Sequence, residues 1–335
     1  MSTTAPPEVL LRVRDLAVHF PLGGGLFGPR KLVRAVDGVS FDIPRGRTFG
    51  IVGESGSGKS TTALAVMRLV RLTAGSVRLG DDDIGALQGE GLRRVRRRFQ
   101  MVFQDPFASL NPRKRAGDAI LEALELMEVG APAQRPELAR QLFLQTGLRP
   151  EQLQLFPHQF SGGQRQRIVL ARALAARPEL VVCDEPVSAL DVAIQAQILN
   201  LMQRLQRELG LTYLFISHDL GVIRHMCDEI GVMYLGQIVE QASRTDLFER
   251  PLHPYTLALW SAAPSFDPDT RSRRGRIRLQ GDPPSPIDVP PGCRFAGRCP
   301  SAEPRCHAEP PPLREVRPGH RVACHRVSQD GVALY

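Results

Sequence analysis

Residues 53–60, Gly-Glu-Ser-Gly-Ser-Gly-Lys-Ser, form a glycine-rich loop between two apolar segments. The preceding segment, 48–52, is short and apolar and predicts a buried strand, whereas segment 61–70 has the composition of a helix. A strand, a G-x-x-x-x-G-K-[ST] turn and a helix in this order predict a phosphate-binding loop and an α/β core. A surface turn rich in Gly and Ser is the alternative, and the flanking strand and helix argue against it.

The residue types of this loop suit a nucleotide phosphate chain. Glycines permit backbone torsions that a Cβ would hinder, so backbone N–H groups can point at phosphate oxygens beside a helix N-terminus. Lys59 is expected to reach the β- and γ-phosphates, Ser60 to ligate Mg²⁺ and Thr61 to contact the α-phosphate. The predicted phosphate-loop residues are Gly53, Ser55, Gly56, Gly58, Lys59, Ser60 and Thr61.

A second apolar segment, 180–183, ends in the acidic pair Asp184-Glu185. Alternation along a strand directs neighbouring side chains to opposite faces, but at a strand's end the chain can turn both into one site. Asp184 suits Mg²⁺, directly or through water, and Glu185 suits polarising an attacking water. Without the upstream loop, an acidic cap between strand and turn would be the simpler interpretation.

The remaining motifs resemble those of the ATP-binding subunits of ABC transporters. Ser161-Gly-Gly-Gln164 is similar to the signature motif of that family, and four more motifs follow the family's order over residues 10–240. These are the aromatic residue of Leu-Ala-Val-His-Phe20, the glutamine of Met-Val-Phe-Gln104, the aspartate of Ser-Ala-Leu-Asp191 and the histidine of Phe-Ile-Ser-His218. The resemblance implies that the chain binds and hydrolyses ATP.

The resemblance also implies a head-to-tail pair of ATPase domains with two ATP molecules between them. Each ATP would lie on the phosphate loop of one subunit and under the signature residues of the other. The implied signature contacts are Ser161, Gly162, Gly163 and Gln164, with Asp191 in the adjoining D-loop.

Further roles follow from the same resemblance. Phe20 is placed like the aromatic residue that stacks on adenine, although His19 or another neighbour could meet the base instead. Gln104 matches the glutamine that joins the catalytic Mg²⁺ site, and His218 matches the residue that contacts the γ-phosphate and holds Glu185 and the water in line. Because Glu185 and His218 are both present, we expect a hydrolysing subunit and not a regulatory one that only binds ATP.

A narrower resemblance points to the peptide-importer branch. It rests on segments 104–112, 160–167 and 184–191, on His-Pro-Tyr-Thr from His253, and on a Cys-rich tail. It implies uptake of oligopeptides or dipeptides, with nickel and glutathione importers as alternatives. The implied partners are two membrane permeases, a second ABC ATPase that is a paralogue, and an extracytoplasmic solute-binding protein. The implied location is the cytoplasmic face of the cell membrane.

The charge of the chain raises a rival class of function. The net charge is +8, and residues 93–98 contain five arginines, which could indicate nucleic acid or lipid headgroups. No aromatic residues interleave with this run, so a solvated face is favoured and no nucleic-acid partner is expected. A soluble ABC-type ATPase acting on nucleic acid or ribosomes is the rival, but there is no room for a coiled coil between Gln104 and Ser161.

The chain is predicted to have two parts. Residues 1–263 are expected to form the ATPase domain, with an antiparallel β subdomain over 1–47, a mostly parallel sheet, and a helical subdomain over about 105–165. Residues 264–335 are rich in Pro, Arg and Cys and are predicted to be an extended tail rather than a second globular domain.

Four cysteines of this tail are candidate metal ligands. Their spacing is C-x5-C-x6-C-x17-C, and disulfides are disfavoured in a cytoplasmic protein. Four thiolates could hold zinc or an iron–sulfur cluster, and the long loops, like the resemblance, favour a [4Fe–4S] cluster. Free thiols remain an alternative, and a histidine could replace one ligand. The candidates are Cys293, Cys299, Cys306 and Cys324, with His307, His320 and His325 as substitutes.

Overall fold

The strands and helices come from a computed structural model that describes residues 8–23, 31–262, 277, 279 and 281–335. The strands are β1 (Val9–Leu22), β2 (Lys31–Pro44), β3 (Thr48–Val52), β4 (Ala74–Leu79), β5 (Asp82–Asp83), β6 (Phe99–Val102), β7 (Leu180–Asp184), β8 (Thr212–Ser217), β9 (Glu229–Tyr234), β10 (Gln237–Ser243), β11 (Arg314–Arg317) and β12 (His320–Val322). The helices are α1 (Lys59–Val66), α2 (Gly89–Val95), α3 (Ala116–Leu126), α4 (Arg135–Gln145), α5 (Gly162–Leu174), α6 (Val192–Leu209), α7 (Leu220–Met226), α8 (Arg244–Glu249), α9 (Pro254–Ala262) and α10 (Pro304–Ala308).

The chain divides into two compact units. The first unit comprises the described parts of Met1–Arg12, Asp42–Thr48 and Val77–Ser217, and the second comprises those of Val13–Phe41, Phe49–Ser76 and His218–Tyr335. Strands β1, β2, β4 and β5 form a four-stranded sheet of order β2-β1-β4-β5. The antiparallel sheet expected from the N-terminal residues therefore also includes β4 and β5, which follow the phosphate loop. The predicted boundary between residues 263 and 264 lies outside the described residues.

Parallel strands in the order β8-β7-β6 form the sheet of the first unit. Strand β8 is buried along its whole length and β7 along all but Asp184. Such unbroken apolar runs are typical of parallel strands covered on both faces. Cys183 lies in this core with no exposed surface, as expected for a small apolar side chain.

Helices α3, α4 and α5 pack against one another in the first unit. Helix α3 buries Ala116, Ile120 and Leu124, which recur at helical spacing along one face. The prolines at 132, 150 and 157 each open a short 3-10 turn, and Pro136 lies in the first turn of α4. Proline is tolerated there because the first N–H groups of a helix have no partner within it.

Helix α6 carries an apolar stripe at helical spacing, formed by Ile194, Ile198, Met202, Leu205 and Leu209. Ile198, Met202 and Leu205 are buried, whereas Ile194 is only partly covered and Leu209 is 44% exposed. The stripe is therefore core in its middle and reaches the surface at its end. Among the described residues, none of the helices combines the length and the hydropathy needed to cross a bilayer.

Strands in the order β11-β12-β10-β9-β3 form the sheet of the second unit. Strands β3 and β9 are parallel, and the other neighbouring pairs are antiparallel. Strand β12 pairs with β10, with Val322 opposite Glu240. The prediction of an extended tail is therefore wrong for residues 314–322, because these residues form a hairpin that extends this sheet.

Candidate nucleotide site

The phosphate loop joins β3 to α1 in the second unit. Gly58 caps α1 with a φ of 105°, and Gly56 has a φ of 78°, a region in which a Cβ is strained. The strand has the predicted bounds. The helix begins two residues earlier than the predicted residue 61, directly after Gly58, and ends at Val66, because Arg68 adopts a left-handed φ of 55°.

Backbone atoms of neighbouring strands enclose the loop. A Cβ on Gly53 would lie 2.1 Å from the carbonyl oxygen of Met233, and one on Gly58 would lie 2.2 Å from that of Ala35. The carbonyl oxygen of Ser57 accepts a hydrogen bond of 2.8 Å from the N–H of Gly236. The loop is thus seated in a space that accepts glycine and excludes a side chain.

Lys59 and Ser60 follow the last glycine of the loop. Lys59 is 6% exposed, and its Nζ donates to the carbonyl oxygens of Gly53 at 2.9 Å and of Glu54 at 2.8 Å. The ammonium group is therefore held inside the curve of the loop. Ser60 is exposed and Thr61 is half-buried at the N-terminus of α1, where backbone N–H groups favour an anion.

Two side chains contact the loop at a residue that the sequence did not single out. The N–H of Glu54 donates to the hydroxyl of Tyr255 at 2.9 Å, and Arg298 pairs with the Glu54 carboxylate at 2.8 Å. Tyr255 lies in the His-Pro-Tyr segment that supported the narrower resemblance, but no local pattern distinguishes Arg298 from the other arginines of the tail.

In the first unit, the structure brings Gln104 and Glu185 together. The side-chain amide of Gln104 donates to Oε2 of Glu185 at 3.1 Å. Glu185 has a left-handed φ of 49°, and its N–H donates to the carbonyl oxygen of Ile216 on β8. The turn at Glu185 ends the alternation of β7 immediately after the half-buried Asp184. A half-buried carboxylate oriented by an amide is a suitable acceptor for a water proton.

The signature residues lie at the start of α5, also in the first unit. Ser161 and Gln164 form a capping box, in which the Ser161 hydroxyl accepts from the N–H of Gln164 and the Gln164 side chain accepts from the N–H of Ser161. A Cβ on Gly163 would lie 2.5 Å from the side chain of Ile194 in α6. The Asp191 side chain caps α6 through the N–H of Ile194. The predicted signature and D-loop residues therefore fix the starts of two helices.

Phe20 and His218 belong to the second unit. The Phe20 ring is 41% exposed on β1, whereas Nε2 of His19 lies 2.9 Å from a carboxylate oxygen of Asp37. Phe20 is thus the more available surface for a base, since His19 already has a partner. His218 is exposed between β8 and α7, and the neighbouring Asp219 caps α7.

The four C-terminal cysteines lie close enough to influence one another's ionisation. Burial, with the neighbouring thiols, raises the pKa of Cys293 and Cys299, and it raises the pKa of Cys324 to about 12. The N–H of Cys293 also donates to the carbonyl oxygen of Cys306. All four are free thiols.

The cluster prediction is not supported by this arrangement. Across the part of the chain that the structure describes, which includes these cysteines, no group of three or more Cys, His, Asp or Glu side chains is placed to hold a metal ion. A bound metal requires thiolates, whereas burial raises the pKa of Cys293, Cys299 and Cys324. His320 and His325 have other partners, because His320 pairs with Glu240 and His325 lies 3.0 Å from the carbonyl oxygen of Glu309.

A phosphate-loop strand–helix unit, an acidic strand end and a helix-capping Ser-Gly-Gly-Gln motif together define an ATPase of the ABC class. The family model described as ABC transporter matches residues 36–188. A second model, the C-terminal region of oligopeptide/dipeptide transporters, matches residues 239–306. The chain belongs to the ATP-binding proteins of ABC transporters, in their oligopeptide/dipeptide branch.

Close relatives match at least 95% of the chain. The oligopeptide transport ATP-binding protein AppF of Bacillus subtilis is 50% identical over 97% of this chain and 100% of its own length. A putative peptide import ATP-binding protein of Brucella ovis is 51% identical over 95% of this chain and 98% of its own. Among solved structures, the ATP-binding cassette MJ0796, in a dimeric post-hydrolysis state bound to ADP and Pi, has a TM-score of 0.62 at 26% identity. That match covers 70% of this chain and 99% of the cassette.

Proposed function

We propose that this chain hydrolyses ATP to energise the uptake of oligopeptides or dipeptides through a membrane transporter. The observation that carries the proposal is the similarity to peptide-import ATP-binding proteins over at least 95% of the chain. That similarity includes the C-terminal region as well as the ATPase region. Nickel and glutathione importers remain the alternatives for cargo.

In this proposal the phosphate loop holds ATP. Lys59 would contact the β- and γ-phosphates, Ser60 would ligate Mg²⁺, which would neutralise phosphate charge, and Thr61 would contact the α-phosphate. The glycine-rich backbone, Ser55 included, supplies N–H donors. The seating of the loop against backbone atoms, which leaves no room for a Cβ at two glycines, supports a preorganised phosphate cradle.

Glu185 is the proposed catalytic base. Glu185 would polarise the attacking water. Gln104, which lies within hydrogen-bond distance of Glu185, would orient the Glu185 carboxylate and join Asp184 at the Mg²⁺ site. His218 contacts the γ-phosphate. Phosphoryl transfer depends mainly on positioning and on stabilising charge, which polar groups held by hydrogen bonds can supply.

A second ATPase subunit completes the site. Ser161, Gly162, Gly163 and Gln164 at the start of α5 contact the γ-phosphate of the ATP on the partner, with Asp191 nearby. The capping box supports this role because it fixes the first turn of α5, where N–H groups attract anions. The dimeric state of the cassette MJ0796 is consistent with such a pairing.

The remaining partners are two membrane permeases, a paralogous ATPase and an extracytoplasmic solute-binding protein, so the chain acts at the cytoplasmic face of the membrane. The test is affinity purification of the Glu185→Gln variant with ATP from detergent-solubilised membranes. Recovery of permeases and a peptide-binding protein supports the proposal. Recovery of only ribosomal or DNA-associated proteins would favour the rival class, and a nickel- or glutathione-binding protein would change the cargo.

The C-terminal cysteines need a separate experiment. A [4Fe–4S] cluster or a zinc ion on Cys293, Cys299, Cys306 and Cys324 requires the thiols to ionise and to move from the arrangement described above. Iron, sulfide and zinc are therefore measured in protein purified without oxygen. About four irons and four sulfides per chain would support the cluster, one zinc would support the zinc site, and neither would leave free thiols.

A further inference from the structure

Glu54 of the phosphate loop is held by two residues from outside the loop. Its N–H donates to the Tyr255 hydroxyl at 2.9 Å. Its carboxylate accepts two hydrogen bonds from Arg298, of 2.8 Å and 3.3 Å. Glu54 is therefore fixed at its main chain by α9 and at its side chain by the C-terminal segment that follows Cys293.

The Arg298–Glu54 pair has features of a strong interaction. The Arg298 side chain is only 10% exposed and that of Glu54 29%, and the fork of the guanidinium meets both carboxylate oxygens. Burial opposes the charge on Arg298. The hydrogen bonds of Arg298 to Glu54 and Tyr234 outweigh this effect of burial and raise the pKa of Arg298. The Arg298 guanidinium therefore stays charged throughout the range in which proteins are usually studied.

Packed aromatic rings support the contacts of Glu54 with Tyr255 and with Arg298. The rings of Tyr234 and Tyr255 are 4.6 Å apart between centroids, and Phe295 packs against them at 5.3 Å and 5.4 Å. Phe295 is 1% exposed and lies three residues before Arg298. The cluster thus fixes the position of Tyr255 and of the turn that carries Arg298.

Glu54 in turn contacts the lysine of the phosphate loop. Its carbonyl oxygen accepts from Lys59 Nζ at 2.8 Å, and it also accepts from the N–H of Ser57 at 3.2 Å. A displacement of Glu54 would therefore move an oxygen that contacts the ammonium group and alter the curve of the loop. Arg298 and Tyr255 are thus connected to Lys59 through Glu54.

We propose that Arg298 and Tyr255 are positioning residues for ATP binding, which act by fixing Glu54 and thereby the shape of the phosphate loop. The C-terminal extension would then be part of the nucleotide site rather than an appendage to it. This inference rests on the assignment of residues 53–61 as the phosphate loop. It does not depend on the cargo.

The test compares the wild type with Arg298→Met, Arg298→Lys and Tyr255→Phe. ATP dissociation constants are measured on the full chain, and steady-state hydrolysis on the assembled transporter. Loss of a charge-assisted bidentate pair is expected to weaken ATP binding and raise the KM for ATP about tenfold, with kcat within about twofold. Lysine, which cannot form the fork, should recover only part of the affinity. Tyr255→Phe should weaken binding about fivefold, because it leaves the Glu54 N–H without its acceptor.

A matched control is Arg326→Met, which removes another arginine pair of the extension, with Glu303 at 3.0 Å. It should change the melting temperature but not the KM. Glu54→Gln should match Arg298→Met, and the double variant should be no worse than either single one. Additive losses, or wild-type affinity in Arg298→Met, would overturn the inference.

Lys59→Ala separates this inference from the loop assignment on which it rests. If Lys59→Ala abolishes ATP binding and Arg298→Met does not change it, only the positioning role fails. If Lys59→Ala binds ATP like the wild type, the loop assignment fails first.

Discussion

Oε1 of Glu240 lies 2.8 Å from Nε2 of His320, and neither side chain is appreciably exposed, at 0% and 1%. The same carboxylate accepts hydrogen bonds from the N–H groups of Leu252 and His253, at 2.7 Å and 2.9 Å. Glu240 on β10 thus joins the segment before α9 to strand β12 of the C-terminal extension. A buried carboxylate with this many donors is costly to disturb.

We expect Glu240→Gln to lower the free energy of unfolding by about 3 kcal/mol, because an amide cannot accept from all three donors and its NH₂ would face one of them. Urea denaturation at neutral pH measures this change. Glu309→Gln is the control, since that carboxylate is 61% exposed, and its effect should stay within about 0.5 kcal/mol. Equal effects of the two substitutions would contradict the structural role of Glu240.

The stability of the protein should depend on pH through His253. Burial lowers the pKa of this imidazole to about 4 from an ordinary 6.5, although the charge of Glu240 opposes the shift. The unfolded chain therefore binds the proton at a higher pH than the folded protein. The contribution of His253 to stability is full above pH 6.5 and is lost as the pH falls towards 4, by up to about 3 kcal/mol.

The measurement is urea unfolding of the wild type and of His253→Asn between pH 7.5 and pH 4.5. Asparagine retains an acceptor for the N–H of Tyr255, which bonds Nδ1 of His253. We expect the variant to be less stable at pH 7.5 and the difference to shrink as the pH falls. His307→Asn, at an exposed position of the same extension, should show no such trend. A difference that does not change with pH would rule out His253 as the source.

Local sequence was sufficient for the nucleotide-site elements. Strand β3 has the predicted bounds, and β7 begins at the predicted Leu180 but ends at the first of the two acids, Asp184. Both strands are apolar and stop next to glycine or acidic residues. The capping box of Ser161 and Gln164 likewise depends on only four consecutive residues. Such features depend on residues that are close in sequence, so a local sequence pattern is enough to predict them.

Long-range contacts were not predictable in the same way. The pairing of β12 with β10 and the contact of Arg298 with Glu54, 244 positions apart, depend on tertiary packing. The prolines of segment 282–291 indicated an extended tail and concealed the hairpin that follows them. Cysteine spacing suggested a metal site, but spacing does not determine whether sulfur atoms converge on one point.

A methyl group at Gly53 should damage the phosphate loop. Its Cβ would lie 2.1 Å from the main-chain carbonyl oxygen of Met233, and a backbone oxygen inside a sheet cannot move as a flexible side chain can. We expect Gly53→Ala to lower the free energy of unfolding by about 1–3 kcal/mol and to weaken ATP binding. Gly23→Ala is the control, because among the described residues no atom beyond its chain neighbours lies within 4 Å of its Cβ. Wild-type affinity in Gly53→Ala would show that the close approach does not constrain the loop.

Replacing Glu185 by glutamine should separate ATP binding from ATP hydrolysis. The substitution removes the charge that accepts a proton from water but leaves an oxygen that can accept from Gln104, 3.1 Å away in the wild type. We expect hydrolysis by the assembled transporter to fall at least about 100-fold, with ATP affinity within about twofold. Glu208→Gln, on the exposed surface of α6, should hydrolyse ATP at the wild-type rate. If turnover instead falls less than tenfold, another group in this subunit or the partner ATPase carries the proton transfer, and the orientation of Glu185 by Gln104 has a structural purpose only.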